Sequence, residues 1–407
     1  MNTTLNTYIQ NQIIRNPMNI KEELAYNNIK FNTRLDFDRI CEYIDDFLMG
    51  NNINRYILLP GIRGVGKSTM LFQTYEYLLK TKNVNPQNIL YISSDNLKQM
   101  CNSSILDAVT SYLDIYHHTI FEAPDEPVFL LIDEAQYDKD WALTGKIIFD
   151  STKSIFMIFS GSRALELTYN ADAARRLLKF PVTPLNYPEH LRLKYGNFKN
   201  DISPAIAQLI FDGKTEGISE IDTKMAHITA GFKNFDVNEW NDFLKFGGFP
   251  SSFFQKPHEV SEKIMDKITR AVTIDMKNIE GLNGQTQDLA FQLLYFFALQ
   301  NPGEISKGSM ANHLDSNKIT VNKILNTLEK TQLIFQIPPL YLISEKDNKT
   351  KQILFCNIQP EAHTVPESRQ CHSGRQACIY GQTFRKFCRI KLFQFGKQKH
   401  DNLQDIL

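Results

Sequence analysis

Residues 61 to 69 read GIRGVGKST, a complete G-x-x-x-x-G-K-[ST] pattern, and few short patterns leave a chain so little choice of fold. Such a loop holds phosphate only where a strand runs into it and a helix leaves it, because the helix N-terminus supplies part of the binding. Both flanks fit: the apolar run RYILL leads in, and STMLFQTYEYLLK follows as a helix. Glycine opens backbone conformations closed to other residues, so successive N–H groups can converge on an anion. Gly61, Gly64, Val65, Gly66, Lys67, Ser68 and Thr69 are therefore the candidate nucleotide cradle. Lys67 is expected to reach the β- and γ-phosphates and Ser68 to hold Mg²⁺.

The second half of the candidate site is VFLLIDE, an apolar run ending in Asp133 and Glu134. Two adjacent carboxylates at the carboxyl end of a buried strand are costly unless they face a cation or water, and that end is where open α/β sheets take ligands. Asp133 is expected to hold the Mg²⁺ shell through water, and Glu134 to orient and deprotonate an attacking water. A solvated strand end is the plainer alternative.

Around these motifs, short runs rich in Ile, Val, Phe and Leu alternate with segments of helical length. The runs are Tyr56 to Leu59, Ile89 to Ile92, Val128 to Ile132, Ile155 to Phe159 and Leu178 to Val182. Runs of this kind suit strands buried on both faces. The alternation predicts an α/β domain over 36–195 with a parallel P-loop sheet. One strand lies in sequence between the P-loop strand and the Asp-Glu strand, the ordering of ATPases with an extra catalytic Glu. In that ordering Ile155 to Phe159 is inserted between the two, which brings Ser160 and Ser162 to the γ-phosphate as candidate sensors; a simple strand-to-helix turn would look the same. Arg175 and Arg176 follow, placed to meet transition-state charge in cis or from a neighbouring subunit, or to remain solvated on the surface.

Composition sets the outer bounds. The 407 residues carry 45 Lys+Arg and 45 Asp+Glu, so a global basic coat is excluded and any polyanion must meet a local patch. Hydrophobic residues at 42% and charged residues at 22% describe a folded chain of two or three domains. No apolar run approaches the roughly 20 residues that span a bilayer, and the first residues lack a signal-peptide pattern; the expected location is cytoplasmic, without a membrane partner. Six cysteines are too few for a disulfide scaffold.

With GIRGVGKST, LLIDEAQ, FSGSR, the arginine pair, PLNYPEHL and FLKFGGFP in that order, the sequence resembles the AAA-type ATPases that carry a DUF4143 region, close to the archaeal-ATPase branch of the STAND class. The similarity covers about residues 35 to 355. It implies an ASCE/AAA+ type ATPase core, a helical lid over 196–300 and a winged helix-turn-helix over 301–345; residues 1–35, outside it, read from their composition as a polar, Asn-rich extension. It implies ATP as the nucleotide, and a Gly-x-Pro turn in which Pro250 contacts or covers the base; a helix end followed by a break reads equally well from the residues. An unidentified protein client and a homo-oligomer belong to the same expectation.

Residues alone also suggest the winged helix: SKGSMANHL as a short helix, Lys318 to Thr331 as a second, then LIFQIPPLYLI as a wing. Lys318, Asn322, Asn326 and Lys330 recur at four-residue spacing on one face, which makes DNA or a protein the partner of this module. The tail, 346–407, departs from the pattern. The resemblance implies a nuclease-like fold after the wing, opening with a strand that ends in an acid, and Asn357 stands at that place; Cys356, Cys371, His372, Cys378 and Cys388 match no common zinc spacing. A shifted reading frame near residue 357 is the expectation for this segment.

Overall fold

The computed structural model describes residues 3–119, 124–162, 175–196, 218–232, 235–236, 238–276, 284–299, 304–331, 333–337 and 351–355. The chain divides into two units, Met1–Thr183 and Pro184–Leu407.

The first unit opens with helix α1 (Thr3–Glu23) and helix α2 (Leu35–Leu48). Strand β1 (Tyr56–Pro60), helix α3 (Lys67–Lys80), strand β2 (Ile89–Ser93), helices α4 (Ser94–Cys101) and α5 (Ile105–His117), strand β3 (Val128–Asp133), helix α6 (Trp141–Ser151) and strands β4 (Ile155–Gly161) and β5 (Leu178–Lys179) follow. The five strands form one sheet in the order β2-β3-β4-β1-β5, every pair parallel. Thus β4 lies between the P-loop strand and the Asp-Glu strand. Every residue of β1, β3 and β4 is buried, because helices cover both faces of a parallel sheet. The β5 ladder runs on past its assigned residues: the N–H groups of Phe180 and Val182 donate to Leu58 O and Pro60 O, each at 2.8 Å.

The Asn-rich start hides a helix. Leu5, Tyr8, Ile9 and Ile13 of α1 are buried and join Leu97, Val109, Tyr112 and Leu130 in the core. At positions i, i+3, i+4 and i+8 they make one apolar stripe. Asn16, also buried, donates from Nδ2 to Tyr91 O at 3.0 Å, giving strand β2 a side-chain partner on the side where, among the described residues, it has no neighbouring strand. On α2 the buried residues are Phe37, Ile40, Ile44 and Phe47, and the Phe47 ring packs on Phe129 and Phe156.

The described part of the second unit is mostly helical: α7 (Tyr187–Tyr195), α8 (Ile218–Ala230), α9 (Glu239–Phe246), α10 (Pro257–Arg270) and α11 (Gly284–Leu299). A capping box between Asn186 and Glu189 starts α7. Strand β6 (Glu304–Ile305), helices α12 (Lys307–His313) and α13 (Lys318–Lys330), and strands β7 (Ile334–Ile337) and β8 (Lys351–Phe355) complete it. These strands pair antiparallel in the order β6-β8-β7. On α13 Val321, Ile324, Leu325 and Leu328 face inward. Among the described residues no helix is long and apolar enough to cross a membrane. Cys356, Asn357, Cys371, His372, Cys378 and Cys388, with the expectations attached to them, lie outside the described residues.

Candidate nucleotide site

Parallel register decides which loops meet. Pro60 of β1 pairs with Gly161 of β4, Ile132 of β3 with Phe159 of β4, and Ser93 of β2 with Asp133. The P-loop, Ser160 to Ser162 and Asp133 to Glu134 therefore leave the sheet at one carboxyl edge, where open α/β sheets bind ligands.

The loop is shaped by its glycines. A Cβ on Gly61 would lie 2.3 Å from Val182 O, so the turn out of β1 passes directly against the backbone that follows β5. Gly64 and Gly66 have φ of +82° and +99°, the left-handed region that glycine enters without penalty. Gly66 is the N-cap of α3, which leaves the first N–H groups of that helix turned toward the loop. Lys67 is buried, and its Nζ donates to Gly61 O at 2.9 Å and Ile62 O at 3.0 Å. The lysine thus lies along its own loop, while Ser68 and Thr69 are half-buried at the start of α3. Arg34, buried just before α2, donates from Nη1 to Val65 O at 2.9 Å and braces the loop from outside.

Asp133 is 4% exposed and well supplied with donors. Its Oδ1 accepts from the Ser160 hydroxyl and, at 3.0 Å, from the Glu134 N–H; its Oδ2 accepts from the Tyr91 phenol at 3.4 Å. Burial, and after it the Asp133 charge, raise the Tyr91 pKa above the ordinary phenol value, so this hydroxyl remains a donor. Charge-assisted bonds of this kind make a buried carboxylate tolerable.

Glu134 departs from the strand direction. Its φ of +52° and ψ of +41° are left-handed, uncommon for a residue with a side chain, and they lead into a 3₁₀ turn over Ala135–Tyr137. Its Oε2 accepts from Gln136 Nε2 and lies 3.9 Å from Arg63 Nη1. Gln136 Oε1 in turn accepts from the Ser162 N–H at 3.1 Å. The Ser162 hydroxyl is buried without a hydrogen-bond partner among the described residues. Ser160 and Ser162, equivalent in sequence, thus differ: one hydroxyl serves Asp133 and the other is unengaged.

The remaining expected residues do not join this group within the first unit. Arg175 and Arg176 stand just before β5, at the amino edge of the sheet. With Asn52, Arg55, Phe149 and Lys153 they border a cavity of about 870 Å³, and Arg176 Nε pairs with Asp150 Oδ1 at 2.6 Å. That edge is opposite the one carrying Lys67. Pro250 begins a 3₁₀ turn, Pro250–Phe254, in the second unit, after Gly247, where a Cβ would meet the Phe243 side chain at 2.2 Å and its Cα at 2.6 Å. On α13 the asparagines are engaged: Lys307 Nζ donates to Asn322 Oδ1, and Gln336 Nε2 to Asn326 Oδ1 at 3.4 Å. Motif reading missed Gln136, Arg34 and Tyr91. Gln136 stood within LLIDEAQ and was open to notice; Arg34 and Tyr91 have no local signal, since their contacts span 31 and 42 residues of chain.

A family model described as an AAA domain matches residues 53–191. The uncharacterized protein MJ1637 of Methanocaldococcus jannaschii is 32% identical over 355 residues, which cover 87% of this chain and 70% of that protein. A second protein of that organism, MJ1544, is 24% identical over 315 residues, or 75% of this chain and 60% of its own length. Among solved structures, the Aeropyrum pernix ORC2 protein in ADPNP-ADP complexes aligns with 90% of this chain and 98% of its own at 11% identity and a TM-score of 0.43.

Proposed function

The chain belongs to the family of the Methanocaldococcus jannaschii protein MJ1637 and carries an AAA domain of the ATP-binding type, and on that premise we propose that it hydrolyses Mg-ATP at the carboxyl edge of its parallel sheet. The observation that carries the reading is the meeting, at that edge, of a glycine-shaped loop ending in a helix N-terminus with a buried Asp and a partly exposed Glu.

The division of labour follows from the side chains. Backbone N–H groups from Gly64 to Ser68, with the Lys67 ammonium, neutralise the β- and γ-phosphates. The Ser68 hydroxyl and the Asp133 carboxylate are hard oxygen donors, the set that suits Mg²⁺ beside phosphate oxygens; bound there, the ion would neutralise charge on the transferring phosphoryl group. Glu134 orients water and takes its proton as the water oxygen bonds to the γ-phosphorus. The bond from that phosphorus to the bridging oxygen breaks, ADP and phosphate leave, and the proton passes to solvent. Ser162, with its hydroxyl unengaged, senses the γ-phosphate. Arg175 and Arg176 contribute only to a nucleotide held by another copy of the chain.

Steady-state phosphate release from Mg-ATP tests this. Lys67→Ala and Glu134→Gln should each lower turnover on the order of 10² to 10⁴-fold, the second while still binding ATP. Wild-type protein that binds ATP and does not turn it over would instead be a nucleotide-gated switch.

A second reading concerns 301–345. Helices α12 and α13, followed by antiparallel strands that reach to Phe355, are compatible with the winged helix that the DUF4143-type resemblance implies, and Lys318 at the start of α13 is exposed. Duplex DNA binding should weaken as salt rises and fall further in a Lys318→Ala/Lys330→Ala variant. Binding indifferent to both changes would leave this module to a protein client.

A further inference from the structure

We propose that Gln136 is a positioning residue that couples Glu134 to the Ser162 end of β4, so that a γ-phosphate contacting Ser162 sets the orientation of the carboxylate for turnover. The proposal rests on the reading of Glu134 as the base.

The polarity of one amide is fixed by its two neighbours. Gln136 Nε2 donates to Glu134 Oε2, and its Oε1 accepts from the Ser162 N–H at 3.1 Å. Turning the amide over would set oxygen against carboxylate and N–H₂ against N–H, so only one orientation satisfies both ends. This amide links the loop after β3 to the end of β4 on the base side. The Asp133 side has a separate link through Ser160.

Each end of the link has a feature that calls for explanation. At one end, Glu134 has left-handed backbone dihedrals, so its side chain does not continue the strand direction and must be aimed by its contacts; Gln136 and, at 3.9 Å, Arg63 of the P-loop supply them. At the other end, Ser162 has its N–H committed to Gln136, yet its hydroxyl is buried and unengaged among the described residues. A buried hydroxyl without a partner is unusual in folded proteins, and here it stands at the edge where the phosphates are held. Any bond this hydroxyl makes to a phosphate oxygen shifts Ser162, and the shift reaches Glu134 through a single hydrogen-bonded amide. A glutamine that merely stabilised its own turn would not need to bridge two loops 26 residues apart.

The test is a double-mutant cycle on turnover with nucleotide affinity read separately. Gln136→Met keeps the length of the side chain and loses both hydrogen bonds; Ser162→Ala removes the open hydroxyl. Gln136→Met should lower kcat about tenfold or more, while Kd for a fluorescent ATP analogue stays within about twofold and the melting temperature without nucleotide is unchanged. Ser162→Ala should also lower kcat, and the double variant should be no slower than the slower single one, because both act through one link. Gln136→Glu, which retains an acceptor for Ser162 and loses the donor to Glu134, should match Gln136→Met, and it takes that variant's place in the cycle if Gln136→Met fails to fold. A Gln136 variant with wild-type kcat overturns the coupling, as does a double variant whose defects multiply. Wild-type protein without Lys67-dependent turnover overturns the hydrolysis reading, and this proposal with it.

Discussion

At Gly61 a single missing side chain sets the shape of the loop. The turn out of β1 runs so close to Val182 that a Cβ would sit 2.3 Å from a backbone oxygen, and a backbone carbonyl cannot rotate away as a flexible side chain could. Gly61→Ala should therefore cost about 1–3 kcal/mol of stability through overpacking and weaken ATP binding, both measurable by thermal melting with and without nucleotide. A variant as stable as wild type with unchanged affinity would mean that the loop relaxes freely. The pattern GIRGVGKST announced a glycine here, but not its reason, because Val182 lies 121 residues further along the chain. The same holds for Ser160 and Ser162. Sequence presents them as equivalent candidates, and only the register of β4 against β3 assigns one hydroxyl to Asp133 and leaves the other open.

Elements differ in how openly their residues declare them. Strands β1, β3 and β4 were legible because their apolar residues run unbroken. Helix α1 was not, since Leu5, Tyr8, Ile9 and Ile13 are a thin stripe in polar surroundings. In the second unit, α7 and α9 are joined by a cluster that no motif predicted. Glu239, buried, accepts from Lys194 Nζ at 2.7 Å and from the Tyr195 hydroxyl, and its other oxygen meets His190 Nε2 at 2.6 Å. Burial alone would raise the Glu239 pKa, but hydrogen bonds from His190, Lys194 and Tyr195 and the Lys194 charge outweigh it and hold the carboxyl at about 2. With the folded value below the unfolded one, this contribution is fully present above about pH 4.5 and is lost as pH falls toward about 2. Glu239→Gln should be destabilised by roughly 3 kcal/mol at pH 7, with the gap to wild type narrowing in urea titrations as pH drops through that window. A gap that is constant with pH would rule out the carboxylate as its source.

For the whole molecule, the decisive fact is which end of the sheet each group occupies. Arg175 and Arg176 share the amino edge with Arg55 and Lys153, so within one chain they are separated from Lys67 by the length of β1. A mixture of a Lys67→Ala chain with an R175A/R176A chain should then recover turnover that neither has alone, and recovery should rise with protein concentration. No recovery would confine these arginines to the amino edge and to Asp150. Motif spacing was sufficient for the strand-loop-helix around GIRGVGKST, the place of the Asp-Glu pair at a strand end and the α/β class, because these depend on residues adjacent along a strand, a loop and a helix start. Tertiary structure alone decided the partners of Glu134 and Ser162, the bracing of the loop by Arg34, and the separation of the arginines from the cradle. Those outcomes arise where a parallel sheet joins distant segments side by side, and hydrogen-bond register, which no local pattern encodes, determines which side chains come within reach.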